Sequence, residues 1–184
     1  MQKVAKKTLN KSKDLKNTEK VLRVLGIDPG TAIVGWAVLE EDAGKVKALA
    51  YGHISTSPQN TPAERLREIA DDLRSIVAKY EPQEASVEKL FFFRNVTTAM
   101  PVSQARGVIL LTLEEFRVNI YEYTPMQVKQ ALTGYGKAEK RQIQAMVKGI
   151  LKLKDIPKPD DTADAIAIAL CHLNSRKVRQ MNNQ

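Results

Sequence analysis

The segment from Asp160 to about Ser175 reads as a helix that is rich in alanine, isoleucine and leucine on every side after its first turn. A helix without a polar face is a buried one, so other elements of the chain have to cover it. Upstream, Val21 to Asp28 reads as a central strand that ends on a carboxylate and turns through Pro29-Gly30. Ile33 to Leu39 and Lys45 to Thr56 read as second and third strands, joined by a hairpin turn at Glu40-Glu41-Asp42-Ala43-Gly44. Thr61-Pro62-Ala63-Glu64 then supplies an N-cap, a proline at N1 and a glutamate at N3. The helix that follows carries Leu66, Ile69, Leu73, Ile76 and Val77 on one face and charge on the other, so it covers a sheet.

Glu84 to Glu88 is a short fourth strand. A helix running through Gln104 to Phe116 is expected, with Pro101 in its first turn, because proline deeper in a helix breaks it. Val118 to Tyr123 is a fifth strand. Short helices over Pro125 to Leu132 and Ala138 to Leu153 flank Thr133-Gly134-Tyr135-Gly136. The order β-β-β-α-β-α-β-α-α-α implies an antiparallel meander followed by crossover connections. This is an α/β chain of ribonuclease-H-like architecture, a five-stranded mixed sheet flanked by helices.

At 184 residues the chain has the length of one domain with a substantial core. No run of 18 apolar residues marks a transmembrane span, and the basic N-terminus lacks the apolar region of a secretory signal. The single Cys171 excludes an intrachain disulfide and fits a reducing cytoplasm. Neither it nor the two histidines has zinc-ligand spacing. Residues 1–20 hold seven lysines against Asp14 and Glu19, a net +5 out of the chain's +8. That segment is expected to be a disordered extension, serving either as a solubilising tail or as an arm that touches phosphates. Residues 21–176 are expected to form the folded domain and 177–184 a short tail.

Four carboxylates stand at the ends of apolar elements: Asp28, Glu88 after Ala85-Ser86-Val87, and Asp161 and Asp164 at the front of the buried helix. Acids in such places lose solvation and need a compensating cation. Asp161 and Asp164 share a helix face at i and i+3, in a first turn that favours the ionised form. Asp28 and Glu88 leave parallel strands on the same sheet edge, where open α/β folds place their sites. Four such acids can hold two Mg²⁺ ions about 3.5–4 Å apart, one to activate water and one to stabilise the leaving 3′ oxygen. Taken singly, Asp28 can be a turn residue and Asp160 or Asp161 an N-cap. Asp160 is also an alternative to Asp161 as ligand, since 160 and 164 are helical neighbours.

The chain resembles the RuvC family of Holliday junction resolvases over about residues 22 to 174. The landmarks are Leu25-Gly26-Ile27-Asp28-Pro29-Gly30-Thr31, Val87-Glu88-Lys89-Leu90-Phe91, Gln104-Ala105-Arg106-Gly107-Val108, Gln127-Val128-Lys129-Gln130, Ala138-Glu139-Lys140 and the Asp161 to Ala169 segment. The resemblance implies that Asp28, Glu88, Asp161 and Asp164 are catalytic and metal-binding, with Lys129 and Lys140 as basic active-site residues. It implies a Mg²⁺-dependent crossover junction endodeoxyribonuclease, for which Mn²⁺ can substitute. Such an enzyme acts as a homodimer that cuts two strands of a four-way DNA junction symmetrically in recombination and repair. A branch-migration complex is a further partner that the resemblance suggests.

Three adjacent aromatics, Phe91, Phe92 and Phe93, cannot all face one core, because side chains alternate along an extended segment. Core packing takes one or two, and the remainder can stack on an unpaired base. Phe91 is the expected stacking residue, Phe92 a second DNA contact, and Arg94, Lys89 and Arg106 basic DNA contacts. His172 lies eight residues past Asp164, roughly 12 Å along the helix, too far to ligate the same metal. His53 is expected to be structural, and Trp36 and Met146 to be core.

Three other readings compete. A phosphate-binding ATPase of the actin and sugar-kinase type shares the Gly-Ile-Asp-x-Gly-Thr loop but needs a second related domain, for which this chain lacks length and repeat. A related nuclease of ribosomal RNA precursors shares the acids but not the phenylalanine cluster together with the late Asp-x-x-Asp helix. A junction-binding module with a degraded site is opposed by the presence of all four acids.

Overall fold

The computed structural model describes residues 21–89 and 96–182, with the side chains of 96–98, 180 and 182 excepted. The basic segment 1–20 and the residues Phe91, Phe92, Phe93 and Arg94 lie outside the described residues. The elements are β1 (Leu22–Asp28), β2 (Ile33–Asp42), β3 (Lys45–Ser55), α1 (Pro62–Tyr80), β4 (Glu84–Glu88), α2 (Val96–Glu115), β5 (Asn119–Tyr123), α3 (Pro125–Thr133), α4 (Lys140–Ile150) and α5 (Asp160–Asn182). The strands form one five-stranded sheet in the order β3-β2-β1-β4-β5. The pairs β1–β2 and β2–β3 are antiparallel, and β1–β4 and β4–β5 are parallel. The mixed α/β sheet is the expected one.

Strand alternation divides the core into two layers. Leu25, Ile27, Ala85 and Val87 face α1 and α2, packing with Ile69, Leu73, Ile109 and Leu113. Leu22 and Val24 face the other way, toward Ile166, Ala169 and Leu173 of α5, over which α3 and α4 close with Val128, Leu132, Ile143 and Val147. The period of two therefore aims Asp28 and Glu88 at the α5 layer. From Thr162 to Leu173 only Asp164 escapes full burial, as a helix apolar on all sides requires.

The α1 cap is the predicted one: Thr61 Oγ1 accepts from the Glu64 N–H at 3.3 Å, and Glu64 Oε2 accepts from the Thr61 N–H at 2.8 Å. Four expectations need correction. Helix α2 begins at Val96, so Pro101 stands in its second turn rather than its first. The fixed φ of proline is helical, and at this depth it forfeits only the bond to the carbonyl of residue 97. Strand β2 runs through the expected turn to Asp42, because Glu40 is paired across the sheet with Arg23 at 3.0 Å and Lys47 at 2.7 Å. Helix α5 continues past Ser175 to Asn182, held by Arg176–Glu84 at 3.5 Å and Lys177–Glu41 at 2.8 Å. Met146 lies on the solvent side of α4 and is exposed, whereas Trp36 packs on Tyr80 with ring centroids 6.1 Å apart.

Candidate active site

Parallel pairing of β1 with β4 brings Asp28 and Glu88 to adjacent strand ends on one sheet edge. Their carboxyl groups are close enough for each to bear on the ionisation of the other. Burial first, then the negative charges of Glu88, Asp164 and Asp161, raises Asp28 to about 8, with Lys140 opposing. Burial and the charge of Asp164 raise Glu88 to about 7, while the Asp28 hydrogen bond, Lys140 and Lys129 act against the shift.

The first turn of α5 is seated by glycine. Gly35 pairs with Asp28 across β1 and β2, and a Cβ there would lie 1.9 Å from the Asp161 carbonyl oxygen. A Cβ on Gly26 would likewise lie 2.2 Å from the Ala165 carbonyl oxygen. These absent side chains let the helix backbone touch the sheet. Thr162 fixes the same turn by donating from Oγ1 to the Gly52 carbonyl of β3 at 3.2 Å. Asp161 and Asp164 thereby stand beside Asp28. The positioning roles of Gly35 and Thr162 were not anticipated from the sequence, although a glycine inside a strand pattern is a sign of close backbone approach.

Asp164 is raised by burial, against the pull of Lys140, whose Nζ lies 3.0 Å from it. Lys140 is itself raised, the carboxylates of Asp164 and Asp160 outweighing the cost of burial. Asp160 points outward to Lys140 at 3.3 Å and to Gln144 at 3.0 Å, so of the two adjacent acids it is Asp161 that adds its charge at Asp28. A cavity of about 220 Å³ adjoins the acids, lined by Glu88, Asp164, Lys129 and Lys140 together with apolar side chains of α3, α4 and α5. Lys129 and Lys140 thus share the site.

The other candidates are placed differently. Lys89 is exposed just past Glu88, its N–H donating to the Tyr123 carbonyl at 2.8 Å. Arg106 is turned inward and ion-paired with Glu122 of β5, and its Nε is buried without a partner. It joins α2 to β5 in this structure. His172 is wholly buried between Tyr123 and Glu84, away from the acids. His53 is exposed on β3.

Among the described residues no three such side chains form a closed metal cage as they stand. The acids nevertheless fit divalent cations. They offer an all-oxygen donor set, they are partly desolvated, and their mutual repulsion is opposed by Lys140 and, at Glu88, by Lys129. A hard cation held by Asp28, Glu88, Asp161 and Asp164 would relieve that repulsion.

The crossover junction endodeoxyribonuclease RuvC family model matches residues 24–172. A protein of that name from Halothermothrix orenii is 52% identical over 157 residues, covering 85% of this chain and 95% of the relative. One from Brevibacillus brevis is 54% identical over 155 residues, covering 84% and 93%. The structure of Thermus thermophilus RuvC in complex with a Holliday junction substrate superposes with a TM-score of 0.81 at 39% identity, covering 85% of this chain and 96% of that one. With the acids gathered at the ends of β1, β4 and the front of α5 in the same fold, the chain belongs to the RuvC family of crossover junction endodeoxyribonucleases.

Proposed function

We infer that the protein is a structure-specific endonuclease that resolves four-way DNA junctions by phosphodiester hydrolysis, in recombination and repair. The observation that supports this most is the meeting of Asp28, Glu88, Asp161 and Asp164 at one sheet edge in a RuvC-family chain. Its relative from Thermus thermophilus has been captured with a Holliday junction substrate. The cofactor that suits the donor set is Mg²⁺, two ions per site, with Mn²⁺ able to replace it. Such ions supply Lewis-acid stabilisation of the phosphate and a nucleophilic water at neutral pH.

The chain's own residues do the rest. Asp28 and Glu88, at adjacent strand ends, would hold the ions as carboxylates. Asp161 and Asp164, fixed by the first turn of α5, close the opposite side. Lys140, 50% exposed at its side chain, bridges from Asp164 toward solvent, where a scissile phosphate approaches. Lys129 neutralises charge near Glu88 from α3.

One such site cuts one strand, so paired cuts require two copies related by a two-fold axis. On α2, Ile109 and Leu113 lie in the core. What α2 offers outward is Met100, Gln104, Gly107 and Leu111, with Met100 67% and Leu111 61% exposed. The homodimer is proposed to form there. Lys89 and, from outside the described residues, Phe91, Phe92 and Arg94 are proposed junction contacts. No described helix is long and apolar enough to cross a membrane, in keeping with a cytoplasmic site of action. Residues 21–176 are proposed as the nuclease domain, with residues 1–20 as a basic extension.

The test is to incubate the purified protein with a synthetic four-way junction, with and without Mg²⁺, and map the cuts. Symmetric paired nicks that depend on metal support the reading; cleavage of linear duplex with no preference for the junction would sink it.

A further inference from the structure

The charge of the body is concentrated in one lobe. Residues 125–159, which hold α3, α4 and the return to α5, carry eight lysines and arginines against Glu139 and Asp155, a net +6. The whole chain is +8 and residues 1–20 contribute +5, so everything outside these two segments is net −3. Elsewhere in the body several cations are matched, Arg23 and Lys47 to Glu40, Arg74 to Asp71 and Glu115, and Lys177 to Glu41, while exposed ones such as Lys45 and Lys79 are scattered over other elements. In the lobe, Lys148, Lys152, Lys154 and Lys158 are exposed, and none pairs with a carboxylate among the described residues.

These lysines form a path that begins at the candidate active site. Lys140, which touches Asp164, Gln144 and Lys148 fall on one i, i+4 row of α4, a ridge about 12 Å long. Lys152 follows just past the helix end, and the chain then returns through Lys154 and Lys158 to Asp160. Ile143, Val147 and Pro157 are buried beneath, so the basic surface rests on a fixed base. Lys148 has a local role at the negative end of the α4 dipole, but this accounts for one cation and not for four.

We propose that the solvent face of α4 and the segment returning from it to α5 form a track for the phosphate backbone of one duplex arm, leading away from the scissile phosphate. At one phosphate per 3.4 Å of axis on each strand, the α4 row alone spans about three to four base-pair steps. The track reads charge and no base sequence, and its role is to hold an arm in register with the acids. This inference rests on the junction-cleaving reading and adds to it the path that an arm takes.

The experiment uses the full-length protein and a synthetic four-way junction, with binding measured over a series of salt concentrations. K148Q/K152Q should lower the dependence of log K on log salt by about 1.8, at roughly 0.9 for each phosphate that is no longer neutralised. K148R/K152R should restore it, and unchanged melting temperatures would show both variants folded. Neutral methylphosphonate linkages, set in turn across successive stretches of each arm, should weaken the wild type at one stretch and leave K148Q/K152Q indifferent there. An unchanged salt slope, or an equal response of variant and wild type to every neutral stretch, would overturn the track. So would an equal loss in K45Q/K79Q, which removes the same charge from other faces. A wild-type protein that neither binds nor cuts the junction would overturn the junction reading itself, whereas wild-type binding with an unchanged slope in the variant condemns only the track.

Discussion

Gly35 and Asp161 are in backbone contact: a Cβ on Gly35 would stand 1.9 Å from the Asp161 carbonyl oxygen. Because Gly35 also pairs with Asp28, one missing side chain sets how close two of the four acids come. The glycine is a geometric part of the site although it holds no charge.

Gly35→Ala should therefore push the first turn of α5 off β2. The atom it meets is backbone, which cannot swing aside as a side chain would. Overpacking of this kind costs about 1–3 kcal/mol, equivalent to roughly 2–4 °C of melting temperature per kcal/mol in a chain of this size. Cleavage should fall much more than stability, since the acids move relative to one another. Junction cleavage at a temperature where the variant is fully folded checks this; wild-type rates would refute it.

Asp28 should be a residue at which the metal-free fold is strained. Its acid is raised to about 8, so the sign runs as for any group whose folded value exceeds the unfolded one. Its contribution to stability is fully present below the unfolded value near 4 and is lost as pH rises through about 8. Asp28→Asn should then raise the melting temperature in chelator at pH 8, remove most of the stabilisation that Mg²⁺ gives the wild type, and abolish cleavage. A variant that melts lower than wild type in chelator and still gains fully from Mg²⁺ would contradict this.

Asp161 and Asp160 should separate cleanly. Asp160 is 58% exposed at its side chain and engaged with Lys140 and Gln144, whereas Asp161 acts on Asp28. Asp161→Asn should abolish junction cleavage and Asp160→Asn should leave most of it, with binding kept in both because it rests on dispersed phosphate contacts. The reverse pattern in a cleavage assay would move the site by one residue.

Much of this was legible in the chain. Asp28 and Glu88 could be read because each ends an apolar run, and alternation then fixes the layer they face. The seating of α5 was not legible, since a single glycine in a strand does not say which backbone approaches it. Charged residues misled where their partners lie far along the chain. Glu40 looked like part of a turn because Arg23 is 17 residues away, and Arg106 looked available because Glu122 sits on another element. On α2, a run of apolar residues gave no sign of which side the sheet would take, so Ile109 and Leu113 could equally have faced outward.

Leu111 should decide the oligomeric state. It stands 61% exposed on the outer side of α2 with Met100 and Gly107, so Leu111→Glu would place a charge in the proposed two-fold interface at little cost to the monomer fold. Sedimentation should show a monomer, and junctions should be nicked in one strand in place of paired cuts. A dimer of unchanged affinity would displace the interface from this helix.

His172 should give the fold a pH dependence separate from that of the acids. The ring is fully buried, with Nδ1 2.8 Å from the Tyr123 hydroxyl and Nε2 2.6 Å from Glu84. Arg179 lies 3.3 Å from the same hydroxyl and Arg176 3.5 Å from Glu84. Burial lowers the imidazole below its usual range, against the pull of Glu84 and with the two arginines adding to the shift. The neutral ring then accepts from Tyr123 and donates to Glu84. For a histidine depressed on folding, the stabilisation is complete above the unfolded value near 6.5 and drains away as pH falls toward the folded one. One proton taken up on unfolding gives a slope of at most about 1.4 kcal/mol per pH unit. Urea unfolding of the wild type should therefore show stability falling below pH 6.5, and His172→Gln should be less stable at pH 7.5 but flatter between pH 6.5 and 5. An equally steep fall in that variant would assign the acid sensitivity to other groups and leave His172 with a packing role alone.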